Sequence, residues 1–256
     1  MRVNHNMKIL YLDIETAPTQ CYSWSLWPKF INPDDIVKSG YTLCWAAMWE
    51  GDRNVDFSSV QEGETKMLER LHALLDGADA VVHYNGTKFD IPTINREFVR
   101  HGMEPPSHYH QIDLIKTVRK QFRFESNKLD HVCKRLGLGG KVKHKGMSLW
   151  YGCMEGDAPS WKQMERYNKR DVKILRKLYK HLLPWIHNHP NVGMYIDDPR
   201  NPVCTNCGSQ NVVKKGTQYN TKTTSYDRYK CNSCGTPMRA RLQSKTTSPN
   251  VLIRTK

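Results

Sequence analysis

The chain has 256 residues, 38% of them apolar, with 39 Lys and Arg against 25 Asp and Glu, a net charge of +14 at pH 7. No apolar run reaches transmembrane length and Met1 to Lys8 is polar, so neither a membrane partner nor a signal peptide is expected. The excess of cations predicts a polyanionic partner such as nucleic acid.

Met7 to Glu15 alternates as a strand does, with Ile9, Tyr11, Asp13 and Glu15 on one face. The run up to Leu12 is apolar on both faces, which suits a strand inside an α/β sheet. Two acids then emerge on one face at its C-terminal end, where open α/β sheets place their ligands. The plain alternative is a strand end entering a polar turn, because Thr16, Ala17 and Pro18 follow. Residues 20–40, with Trp24, Trp27 and Phe30, read as a long aromatic loop between strands, fit either to stack a substrate base or to cover a sheet edge.

A second strand is predicted over Ala78 to His83, then the turn Asn85-Gly86-Thr87-Lys88, then a helix from Phe89 to His101. Asp90 falls in the first turn of that helix, and Pro92 suits an early helical position. An acid there also serves as an ordinary cap or dipole partner, so Asp90 taken alone reads as structural. Lys116 to Lys145 is a basic stretch that fits a substrate strand, and His108 and His110 read as solvated.

Ser160 to Leu183 reads as one long helix, opened by a capping box of Ser160 and Gln163. Its apolar stripe runs through Met164, Tyr167, Ile174, Leu175, Leu178 and Leu182, and Asp171 falls inside it. A carboxylate on a core-facing stripe needs a partner. A lysine would serve, but Tyr167 one turn earlier sets a phenol beside the acid and favours a metal.

The segment 188–202 is rich in Pro and Asn and reads as a linker, with His187 and His189 solvated. Beyond it, Cys204-x-x-Cys207 and Cys231-x-x-Cys234 are each followed by glycine, Gly208 and Gly235. This is the spacing of a four-thiolate structural zinc site, with a disulfide pair or four free thiols as alternatives. Cys21, Cys44, Cys133 and Cys153 have no such spacing and read as buried small apolar residues. From Arg200 to Lys256 there are 11 Lys and Arg against one acid, Asp227. Tyr219, Tyr226 and Tyr229 alternate there with Lys222, Arg228 and Lys230, a pattern that offers stacking as well as charge to a nucleic acid. A solvated face on a small metal domain is the alternative.

Taken together, "LDIET", "HYNGTKFDIP" and "YNKRD" resemble the three ordered motifs of the DEDD exonucleases, the DnaQ-like branch of the ribonuclease H-like fold. The third motif has the tyrosine form, Tyr-x-x-x-Asp, while Arg166 stands where the histidine form has its histidine, so the resemblance is to the DEDDy type. It covers roughly residues 7–186 and implies a mixed β-sheet flanked by helices. It also implies two Mg²⁺ or Mn²⁺ ions, bridged by Asp13, with Glu15 and Asp171 on the ion that activates water and Asp90 on the other. Tyr167 would orient the attacking water, since an unperturbed phenol is protonated at neutral pH. Hard cations and oxygen ligands suit phosphodiester hydrolysis at such a pair. "QIDLIK" and "NKLDHVCKRLGL" resemble the intervening segment of stand-alone exonucleases, with no catalytic duty for Asp113 or Asp130, although Asp113 is the reserve ligand should Asp90 fail. "CTNCGSQNVVKKGTQYN" with "RYKCNSCG" resembles zinc ribbons of transposases and transcription factors.

The expected organisation is an exonuclease domain over 1–187, a linker over 188–202 and a basic zinc-ribbon module over 203–256 holding one structural Zn²⁺. The resemblance implies stepwise removal of nucleotides from 3′ ends of single-stranded DNA, with a polymerase or replication protein as a further partner and roles in replication or repair. RNA exonuclease and structure-specific endonuclease activities are the alternatives. Reduced thiols predict a cytoplasmic location.

Overall fold

Leu10, Tyr11 and Leu12 are wholly buried because the strand that carries them, β1 (Ile9–Thr16), lies in the middle of a sheet with helices on both faces. This computed structural model describes residues 7–140, 146–196 and 201–244. They divide into two compact units, one over residues 8–179 and one of residue 7 together with residue 180 onward.

In the first unit β2 (Gln20–Cys21) and β3 (Ile36–Lys38) form a small ribbon of their own. The main sheet adds β4 (Thr42–Trp49), β5 (Asp56–Ser59), β6 (Ala80–His83) and β7 (His110–Asp113) in the order β5-β4-β1-β6-β7. β1 runs antiparallel to β4, with Asp13 opposite Ala46 and Glu15 opposite Cys44, and parallel to β6, with Tyr11 opposite Val82. The sheet is therefore mixed, as expected for a ribonuclease H-like fold.

The two faces of β1 separate core from chemistry. Leu10, Leu12 and Ile14 pack with Trp45 and Ala47 against α1 (Glu64–Asp76), through Met67, Leu68, Leu71 and Leu75, and against α2 (Asp90–Arg100), through Ile94 and Phe98. Burying each such side chain contributes about 1.5–3 kcal/mol. On the other face Leu43 and Cys44 meet Leu149 and Cys153 of α5 (Ser148–Met154) and Trp161, Met164 and Tyr167 of α6 (Ala158–Leu182). Tyr11, Asp13 and Glu15 share that second face, and the Tyr11 ring lies 5.5 Å from that of Tyr179 on α6. Short helices α3 (Leu114–Gln121) and α4 (Leu129–Arg135) occupy the described part of the basic stretch, whose residues 141–145 fall outside the described set.

Several sequence expectations need correction. α6 starts before Ser160: the Asp157 carboxylate accepts from the Ser160 amide at 2.9 Å and from its hydroxyl at 2.6 Å, so the cap is Asp157 and no Ser160–Gln163 box opens the helix. Loop 20–40 covers no sheet edge with its aromatics, since Trp24, Trp27 and Phe30 are 109%, 89% and 78% exposed. Cys44, Cys133 and Cys153 are buried, but Cys21 is only half-buried.

In the second unit β8 (Val212–Asn220), β9 (Ser225–Cys231) and β10 (Pro237–Arg239) form an antiparallel sheet in the order β10-β9-β8. The segment read as a linker contributes a 3₁₀ turn, Val192–Tyr195, whose first amide donates to Thr205 O at 2.7 Å. Asn206 is buried and donates to the carbonyls of Leu183 and Ile186 at 2.9 and 3.3 Å. Among the described residues of 201–244 the buried apolar side chains are Cys204 and Cys231 alone, too small a core to hold that stretch together.

Candidate metal-dependent active site

Strand pleat and helix period together bring Asp13, Glu15 and Asp171 into one cluster, with a carboxylate oxygen of each within 4.8 Å of the others. Asp13 and Glu15 leave β1 on the face toward α6, and Asp171 lies wholly buried on the face of α6 that meets them. Two like unit charges at such a separation repel by roughly 3 kcal/mol at an effective dielectric of about 20. A divalent cation relieves that repulsion while supplying the charge that three oxygen ligands prefer.

Asp90 meets the site through the backbone of β1. Its Oδ1 accepts from the Ile14 amide at 3.3 Å, between the two β1 acids in sequence, so it adjoins the three-acid cluster without belonging to it. Burial pushes its carboxyl up to about 6, against the opposing pull of nearby His83. The turn before it is tightly specified. Asn85 adopts φ 70°, and a Cβ on Gly86 would fall 2.5 Å from His83 Cγ. Gly86→Ala should therefore shift the Asp90 turn and cost about 1–3 kcal/mol, measured as a lower urea midpoint at unchanged slope.

Asp113 is not in the cluster. Its carboxylate accepts from the amides of Asn85 at 2.8 Å, Thr87 at 3.3 Å and Ile115 at 3.3 Å, capping α3 and tying down the turn that carries Asp90. Burial raises its carboxyl, but these bonds and His83 outweigh it and hold Asp113 low.

Tyr167 is 5% exposed, its ring edge-on to Trp150 at 6.0 Å. Together with Asp13 it lines an open cavity of about 780 Å³, whose wall also carries Arg119 and Lys128. The residue that sequence reasoning missed is Asn168. Wholly buried, it donates to Asp13 Oδ2 at 2.7 Å and to Asp13 O at 3.3 Å, clamping the β1 acid to α6. The Cys44 thiol stays neutral beneath, pushed well up by burial and then by neighbouring Glu15, Cys153 and Asp13.

The four zinc-spaced cysteines also converge, with sulfurs within 4.8 Å of one another. Cys204 Sγ lies 3.5 Å from Cys234 Sγ, and Cys207 Sγ lies 3.6 Å from Cys231 Sγ. A tetrahedron with metal–sulfur bonds of about 2.3 Å has edges of about 3.8 Å, so the four sulfurs fit one metal, and none of them is joined in a disulfide. Gly208 and Gly235, at φ 70° and 85°, return their amides to Cys204 O and Cys231 O at 2.9 and 3.0 Å and form the two knuckles. Burial raises Cys231, but the amides of Cys234 and Ser233 outweigh it and lower the thiol to about 7.

A mixed sheet flanked by helices, with acids converging from its central strand and a facing helix, defines a ribonuclease H-like protein, a class whose nucleases use divalent metals. A family model described as RNase H superfamily matches residues 40–183, and the chain belongs to that superfamily. The matched region contains Asp90, Tyr167 and Asp171 and begins after Asp13 and Glu15. Among solved structures, the family B DNA polymerase of the hyperthermophilic archaeon Pyrobaculum calidifontis is similar over 70% of this chain and 25% of that one, with 16% identity and a TM-score of 0.52. That likeness is one of fold. No curated protein sequence matches the chain. Among the described residues no helix is long and apolar enough to cross a membrane.

Proposed function

We propose that the chain is a 3′–5′ exonuclease of the DEDDy type, hydrolysing single-stranded DNA with two divalent ions, Mg²⁺ or Mn²⁺. The observation that carries this reading is the convergence of Asp13, Glu15 and Asp171 within 4.8 Å, beside Asp90. Those four carboxylates would hold the ions, which when bound stabilise the attacking and leaving oxygens of an in-line displacement. Asn168 holds Asp13 in place. Tyr167 would orient the attacking water by a hydrogen bond from its phenol, and Arg119 and Lys128 would hold phosphates of the entering strand. No serine or cysteine nucleophile is required.

The second unit is proposed as a zinc ribbon that grips phosphates. Its Tyr219 and Tyr226 face each other across β8 and β9, and the Arg239 guanidinium lies 4.0 Å from the Tyr226 ring, leaving a half-exposed aromatic and cationic surface. Thiolate ligands suit a reducing compartment, and a cytoplasmic setting beside a polymerase or replication protein, in replication or repair, completes the proposal.

The test is digestion of a 5′-labelled linear single strand with Mg²⁺. A ladder shortening one nucleotide at a time is expected, and immediate release of labelled mononucleotide would overturn the polarity. Tyr167→Phe should slow that digestion by about 10- to 1,000-fold, the range for loss of one positioned hydrogen-bonding group. A fully active Phe variant would return Tyr167 to the role of a core aromatic.

A further inference from the structure

Between residues 161 and 179 of α6, every exposed side chain is a cation: Lys162, Arg166, Lys173 and Lys177. With half-buried Arg170 they stand at i, i+4, i+8, i+11 and i+15, an arc of about 80° at 100° per residue and a length of about 22 Å. Asp171 lies about 140° around the helix from the middle of this stripe, so the stripe faces away from the acid cluster.

Like charges one turn apart weaken a helix, and with Arg170 included five of them follow one another at that spacing. None of the four exposed cations forms an ion pair among the described residues. The same helix does supply an acid where one is wanted, because Lys169 pairs with Glu165 at 2.6 Å. Lys162, Gln163, Arg166, Arg170 and Lys173 line a shallow groove of about 700 Å³, and Glu165 is its one acid.

We infer that the outer face of α6 is a second nucleic-acid site, a track for the phosphate backbone of strand that lies beyond the reacting end. The ligand must present negative charges in a line. A nucleic-acid strand carries one charge per roughly 3.4 Å of axis, so about 22 Å of stripe meets about six phosphates. The choice of ligand rests on the nuclease reading above; the stripe itself does not. Because the cations face away from Asp13 and Asp171, they act on long substrates and leave the shortest untouched.

The experiment uses the full-length protein with Lys162, Arg166, Lys173 and Lys177 all changed to Gln, which preserves helix propensity. Binding of a fluorescent 30-nucleotide single strand is titrated against salt in buffer without added divalent ion. The slope of log K against log salt should become shallower by up to about 2.8, at about 0.7 per lost phosphate contact, and affinity at 0.15 M salt should fall about tenfold or more. With Mg²⁺, KM for the 30-mer should rise while hydrolysis of a trinucleotide keeps its rate. Should the quadruple variant melt early, Lys173→Gln with Lys177→Gln should show about half the change in slope. Unchanged affinity and slope in a folded variant would overturn the inference. So would loss of binding to polyglutamate with DNA binding intact, which would assign the stripe to an acidic protein. Weakened DNA binding in a protein that hydrolyses nothing would support the stripe while refuting the nuclease reading.

Discussion

Asp171→Ala should lower phosphodiester hydrolysis by several orders of magnitude while leaving the fold intact. The carboxylate is wholly buried on α6 within 4.8 Å of the oxygens of Asp13 and Glu15, and Asp90 is held by the Ile14 amide. No neighbour can take its place as a ligand, so the loss falls on the transition state and should appear in kcat more than in KM. Removing one of three mutually repelling charges should also raise the melting temperature in metal-free buffer, by an amount that Mg²⁺ abolishes. Asp13→Ala should behave alike in activity, with the added loss of the Asn168 clamp. Wild-type cleavage by Asp171→Ala, scored on labelled single strands, would end the two-ion assignment.

Cys204→Ser should release zinc and unfold the ribbon. Between residues 201 and 244 the described chain buries no apolar side chain beyond Cys204 and Cys231, so a bound metal would supply most of the folding energy of this stretch. Structural zinc contributes about 10–16 kcal/mol in zinc-finger peptides near pH 7, more than a core of this size provides. Loss of β8–β9 amide protection and new protease sites between residues 203 and 244 are expected, together with stoichiometric loss of zinc by elemental analysis. Trinucleotide hydrolysis should persist, because all four acids belong to the other unit. A ribbon that stays protected without metal would show that the four thiols are structural in some other way.

Much of the site was legible because it obeys short periods. Strand alternation puts Asp13 and Glu15 on one face, helix period puts Asp171 one turn after Tyr167, and Cys-x-x-Cys-Gly sets each knuckle without reference to the rest of the chain. What was not legible depends on distance. Asn168 looks like any polar helical residue, and its partner Asp13 is 155 positions away. The start of α6 was misplaced because Ser160 and Gln163 imitate a capping box, while Asp157 satisfies the same amide from three residues upstream. The cations of α6 carry no sequence pattern that sets them apart, and only burial shows that between residues 161 and 179 every exposed side chain is a cation. Helix α5 was not read at all: it spans seven residues, and it is placed by the contacts of Leu149 and Cys153 with Leu43 and Cys44.

The most direct measurement is a crystal soaked with Mn²⁺ and a nucleoside monophosphate, read by anomalous scattering. Two-ion hydrolysis requires two manganese peaks about 4 Å apart, both in reach of Asp13, one shared with Glu15 and Asp171 and the other with Asp90. Manganese absent from these four acids, with phosphate bound elsewhere, would contradict it.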